Sequence, residues 1–402
     1  MMTDIQLDKY ADVLLWALKK SRTERLRKDD IILIRSDLPA IRLAERMQAK
    51  VLDRGMNAVV RIGPTCEMER AFFHRAGKKQ LVFEAPGERE LYKHLTGGIY
   101  LYAPESLTHL ADVDPRKIAK TAVARKPLRD ILDDREAKGK FGWTLCMMPT
   151  EALAKHAGLS LRQYTNQIIK ACFLDREDPL QAWQGIYGNV TRVKKWLNQM
   201  DVAFFHIKST SVDLKITPGK HRKWVGVSGH NIPSFEIFVS PDWRGTEGVY
   251  FADLPSFRSG NLLEGVRLEF KGGKVVKLSA KKGEDFVKKQ IAMDEGACRL
   301  GEFSLTDKRF SRIDKFMANT LFDENHGGRH GNCHVALGSS FADTYDGDPA
   351  RLTKAKKTTL GFNDSALHWD LVNKEKKTVT AYLTSGASVI MYQNGMFKIG
   401  EK

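Results

Sequence analysis

The chain has 402 residues, 42% of them hydrophobic and 28% charged, which is ordinary for globular protein and enough for two domains. Its formal net charge of +16 comes from basic residues spread along the chain, as in Lys19-Lys20, Lys194-Lys195 and Lys288-Lys289, with no recognisable nucleic-acid motif, so specific nucleic-acid binding is not expected. No segment approaches the roughly 20 apolar residues of a membrane span, and the five scattered cysteines without CxxC spacing exclude a disulfide framework or zinc ribbon.

The N-terminus lacks the basic start and apolar run of a secretion signal, so a cytosolic setting is expected. Residues 5 to 22 place Tyr10, Val13, Leu14, Ala17 and Leu18 on one helical face. Ile31 to Arg35 reads as a buried strand, Pro39 suits a first helical turn, and Ile41 to Leu52 is helical until Gly55. Asn57 to Ile62 is the next strand, completing the strand, helix, strand unit of a parallel sheet. The rhythm continues with a helix near 67–76, a strand at Gln80 to Phe83, a helix near 88–95, strands at Gly98 to Tyr102 and Trp143 to Met148, and helices over about 150–200. An α/β fold is predicted for residues 1–200, and neither a Gly-x-Gly-x-x-Gly nor a Gly-x-x-x-x-Gly-Lys-Ser/Thr loop marks it as nucleotide-binding.

From about residue 201 the pattern changes to short β segments and glycine turns, a mixed α+β, β-rich second domain over 201–402. Strands are expected at Ala203 to Lys208, Val212 to Ile216 and Thr378 to Leu383. Gly272-Gly273 fits a tight hairpin between Glu264 to Lys271 and Lys274 to Ser279, and a helix follows from Gly283 to Glu295. The stretch from Leu321 to Gly338 packs Asp323, Glu324, His326, His330 and His334 among four glycines, a metal-site composition whose meaning depends on partners elsewhere. In a strand His368 and Asp370 project from the same face. Glu236, between aromatics in Ser234-Phe-Glu-Ile-Phe238, and Glu302, in Leu300-Gly-Glu-Phe303, are carboxylates that need partners where buried.

Taken together, Glu236, Glu302, His334, His368 and Asp370 resemble in order and local context the five metal ligands of the aminopeptidase T and aminopeptidase S family of metallopeptidases. The pieces that carry the resemblance are Ser-Phe-Glu at 234–236, Ser-Gly-Asn-Leu-Leu-Glu-Gly at 259–265, Asp-Glu-Gly-Ala at 294–297, Leu-Gly-Glu at 300–302, Asn-Thr-Leu-Phe-Asp-Glu-Asn at 319–325, Cys-His-Val-Ala-Leu-Gly at 333–338 and His-Trp-Asp at 368–370.

The resemblance implies an enzyme with two divalent ions (zinc, cobalt, manganese or magnesium) about 3.5–4 Å apart and a shared water acidified toward hydroxide. It implies Glu324 as the general base, peptides with a free N-terminus as substrates, and a homodimer. The family also has a tyrosine seven residues beyond its first metal histidine; Phe341 occupies that position here, and Tyr345, four residues on, substitutes for it only if the loop is rearranged and is otherwise a surface-turn residue. The segment 326–332 is longer than the family's usual link; His326 and His330 are expected as solvated loop residues, with pocket lining or metal binding as the alternative. Two competing readings are a single-iron ring-cleaving dioxygenase related to the dihydroxypyridine dioxygenases, using His334, His368 and Asp370, and a non-enzymatic basic binding protein.

Overall fold

The computed structural model describes residues 1–258 and 260–400, so Ser259, the first residue of the 259–265 motif, lies outside the described residues. The chain forms two compact units. The first comprises residues 1–183 and 228–232, the second residues 184–227 and 233–402.

The first unit is built on a five-stranded parallel sheet in the order Asn57–Ile62, Ile31–Ser36, Gly97–Tyr102, Gly142–Met147 and Asn231–Ile232. Ile32, Ile34 and Ile99 are fully buried, as expected for strands covered by helices on their faces. The opening helix, Asp4–Lys20, begins with a capping box in which Thr3 and Gln6 satisfy each other's backbone N–H groups, and it buries Tyr10, Val13, Leu14, Ala17 and Leu18. The helix Ile41–Leu52 and both strands beside it follow the predicted pattern. Gln80–Val82 does not: it is a 3-10 turn. Only Leu81 of that run is buried, packed against Phe73, Ala76 and Val113, while Phe83 is exposed, and the sheet pairs Ile31–Ser36 directly with Gly97–Tyr102. Two helices that the apolar pattern did not announce, Pro115–Ala124 and Lys126–Ala137, precede the fourth strand.

The second unit contains two larger antiparallel sheets. One has eight strands, including the predicted Val202–Lys208, Asp213–Ile216 and Thr378–Leu383. Its hairpin Val266–Lys271/Lys274–Ser279 turns through Gly272 and Gly273, both at positive φ, as a two-residue turn of this kind demands. The helix after it ends at Ile291, short of the expected Glu295. The other sheet has four strands, in the order His368–Asn373, Asn332–Gly338, Leu300–Thr306 and Glu236–Val239. One face of this sheet is apolar: Phe303 lies 5.6 Å from Phe205 of the eight-stranded sheet, and the Tyr250 hydroxyl donates to the Leu371 carbonyl at 2.7 Å. Among the described residues no helix is long and apolar enough to cross a membrane.

Candidate metal centre

The other face of the four-stranded sheet carries the chemistry, and its composition follows from strand register. Residues directly opposite in an antiparallel pair point the same way, and side chains alternate along each strand. Ser304 pairs with both His334 and Phe238, Thr306 with Glu236, Glu302 with Ala336, Ala336 with Asp370, and Gly338 with His368. Glu236, Glu302, His334, His368 and Asp370 therefore share one face although they span 135 positions of the chain. The alternate positions Ile237, Phe303, Leu305, Cys333, Val335, Trp369 and Leu371 form the buried apolar side.

A bulge sets the position of Glu302. The register shifts between Leu300 and Glu302, leaving Gly301 as the extra residue, and a Cβ there would stand 2.3 Å from the Gly338 carbonyl oxygen and 2.4 Å from that of Ser339. Only glycine fits between these backbones, and such bulges re-aim the neighbouring side chain.

The three carboxylates converge on His334. Its Nε2 is 2.9 Å from Glu302 Oε1, 3.4 Å from Glu236 Oε2 and 3.9 Å from Asp370 Oδ1. His368 Nε2 is 3.4 Å from Asp370 Oδ1 and 3.8 Å from Glu302 Oε2. Both rings are held from behind: His334 Nδ1 lies 3.2 Å from the Glu324 carbonyl and His368 Nδ1 2.9 Å from the Ser339 carbonyl. A carbonyl can only accept, so Nδ1 carries the proton in each neutral ring and the Nε2 lone pair faces the carboxylates. This is the outer support that metal-ligating histidines use. Glu236, Glu302 and His334 present donor atoms all within 4.8 Å of one another.

The electrostatics also fit a cation. Burial, reinforced by Glu302, pushes the Glu236 carboxyl up to about 8. Burial works against charge on both rings, but Glu302 outweighs it at His334, lifting that imidazole to about 9, and Asp370 does so at His368, lifting it to about 10. Burial likewise opposes charge on Asp370, yet the His368 imidazole holds it down to about 2. These donors thus gather positive charge as protons, and a divalent ion competes for the same lone pairs. The mixture of carboxylates and imidazoles suits a divalent metal ion.

Glu324 sits at the end of the one-turn helix Thr320–Asp323, buried, and burial together with the Glu236, Asp370 and Glu302 carboxylates pushes its proton affinity well above the usual range. It shares a small pocket with Asp370, Ser256 and Phe257. Asp323 beside it is a backbone anchor, accepting from Met317 N at 2.8 Å and Asn319 N at 2.9 Å.

The structure does not bring Tyr345 into this group. It packs with Leu352 and Phe362 in a separate cluster under the Lys356 ammonium, because the 3-10 turn Ala342–Thr344 carries it there. Phe341 is the aromatic residue against His368, with ring centroids 4.6 Å apart. His326, expected in solvent, is buried, and burial lowers its imidazole to about 4. His330 is half-buried and stays outside the donor group. Asn325 and Asn332, which sequence reasoning passed over, prove to anchor the Glu324 segment. Asn332 Nδ2 donates to the carbonyls of Glu324 (2.9 Å) and His326 (2.7 Å).

The model of the thermophilic metalloprotease (M29) family matches residues 3–397 of the chain. The chain belongs to this family. Relatives include Aminopeptidase 2 of Geobacillus stearothermophilus, 28% identical over 91% of both chains, and Aminopeptidase AmpS of Bacillus subtilis (strain 168), 27% identical over 78% of this chain and 79% of the relative. Aminopeptidase T of Thermus aquaticus is 30% identical over 64% of this chain and 65% of its own. The solved structure of wild-type AmpT from Thermus thermophilus shares the fold, with a TM-score of 0.78 and 20% identity over 97% of this chain and 99% of that one. Membership makes the chain a metal-dependent peptide hydrolase, and its relatives support neither the dioxygenase nor the binding-protein reading.

Proposed function

We propose that this M29 member is an aminopeptidase that removes the N-terminal residue of peptides, with Glu236, Glu302, His334, His368 and Asp370 holding two divalent ions. The observation that carries the reading is the register of the four-stranded sheet, which presents three carboxylates and two imidazoles on one face with both rings tied back through Nδ1. The ions supply a water acidified toward hydroxide, an anchor for the substrate's free amine, and polarisation of the scissile carbonyl. The chain's own residues do the rest. Glu324 accepts the proton of the attacking water and delivers it to the nitrogen of the leaving amine as the C–N bond breaks and the new C–O bond forms. The relatives named aminopeptidases support the substrate class, a peptide with a free N-terminus. The homodimer rests on the resemblance alone.

A single iron bound by His334, His368 and Asp370 would leave Glu236 and Glu302 as buried acids without a role, which is costly. Protein purified without chelators is therefore expected to contain about two divalent ions per chain by elemental analysis. One iron per chain would overturn the dinuclear reading.

A further inference from the structure

Asn325 follows Glu324 directly, is fully buried, and uses both ends of its amide. Nδ2 donates to Glu324 Oε1 at 3.3 Å and to the Leu321 carbonyl at 3.0 Å, while Oδ1 accepts the backbone N–H of Phe235 at 2.5 Å. Phe235 immediately precedes Glu236. One planar side chain therefore joins the carboxylate proposed to move the proton to the backbone that places a proposed metal ligand.

The rest of the turn is tied down independently. The Glu324 carbonyl accepts from His334 Nδ1 and Asn332 Nδ2, and the Asn325 carbonyl accepts from the Ser311 hydroxyl. Those bonds hold the backbone of the turn and none of them reaches the Glu324 carboxylate. Among the described residues, Asn325 is the donor that reaches that carboxylate by a hydrogen bond.

From this geometry we infer that Asn325 is a positioning residue for the reaction, fixing the Glu324 carboxylate relative to the Glu236 strand. The inference rests on the proposed role of Glu324. Positioning of a proton carrier affects turnover more than substrate binding, because the alignment matters at the moment of transfer. Asn325→Ala is expected to lower kcat by about 10–100-fold, as loss of a supporting hydrogen bond does at comparable sites. KM should stay within about threefold and metal content should be unchanged.

The deciding experiment is a double-mutant cycle on an N-terminal aminoacyl amide, with Asn325→Ala introduced into wild type and into Glu324→Gln. Removal of the asparagine is expected to change the residual turnover of Glu324→Gln by less than about threefold, since the group it positions no longer carries a proton. Multiplication of the two losses would overturn the inference and assign Asn325 a general structural role. Asn325→Asp keeps an acceptor for Phe235 N–H and removes the donor to Glu324; it serves as the second arm if the alanine variant does not fold. Near-wild-type turnover of Asn325→Asp would also overturn the inference. A wild-type chain without metal-dependent hydrolysis would overturn the functional reading and this inference together, whereas a multiplicative cycle in an active enzyme would overturn this inference alone.

Discussion

Glu324→Gln is expected to keep its metal and lose hydrolysis, with kcat falling by about 10²–10⁴-fold. The substitution is nearly isosteric and retains an oxygen for the hydrogen bond from Asn325 Nδ2, so the buried turn can keep its shape. What disappears is the capacity to accept a proton. The carboxylate stands among Glu236, Asp370 and Glu302, so an amide also relieves repulsion and is not expected to destabilise the fold. Elemental analysis and steady-state kinetics on the same preparation separate the two effects. Undiminished turnover would remove Glu324 from its role, and loss of metal would mean that it is a ligand.

His334→Ala should be the most damaging single change at the sheet. The ring is fully buried, and its Nε2 faces Glu302, Glu236 and Asp370 at once. Its loss leaves a void among three carboxylates, with only the His368 ring near Asp370 and Glu302, and breaking a buried ionic contact in this way costs about 3–5 kcal/mol. Metal affinity should fall by more than the roughly 10–100-fold typical of outer supporting residues, with activity reduced to background. Equilibrium dialysis against the metal and urea unfolding of the metal-free protein measure these losses separately. Full metal occupancy at wild-type affinity would exclude His334 as a ligand.

Local physics made some of this legible before the fold was known. Ile31–Ser36 announces a buried strand by its apolar run, Asn57–Ile62 announces the edge strand beside it, and Gly272-Gly273 announces a hairpin by the positive φ angles it adopts. His368 and Asp370 declare a common face through period-two spacing alone. Glu236 and Glu302 carry no such signal. A lone carboxylate in a strand says nothing about its partner, and the pairings Thr306 with Glu236 and Ala336 with Asp370 are long-range register, invisible to any local pattern. Motif resemblance supplied what spacing could not.

The misreadings have equally local causes. Gln80 to Phe83 has strand composition but one buried side chain and no open place beside Ile31–Ser36, so tertiary pairing overrode propensity. His326 has loop composition around it, yet Gly327 donates its N–H to the Ile313 carbonyl at 2.8 Å, folding the turn inward and burying the ring. Asn325 reads as an ordinary loop polar residue. Its bond to Phe235, 90 positions away, is what distinguishes it.

The most direct measurement of the central claim is hydrolysis of a panel of aminoacyl amides and short peptides after chelation and after metal restoration, each peptide paired with its N-acetylated form. Chelation is expected to abolish cleavage, divalent metal to restore it, and only substrates with a free amine to release their first residue. Cleavage that survives chelation, or proceeds equally well on acetylated peptides, would contradict a metal-dependent aminopeptidase.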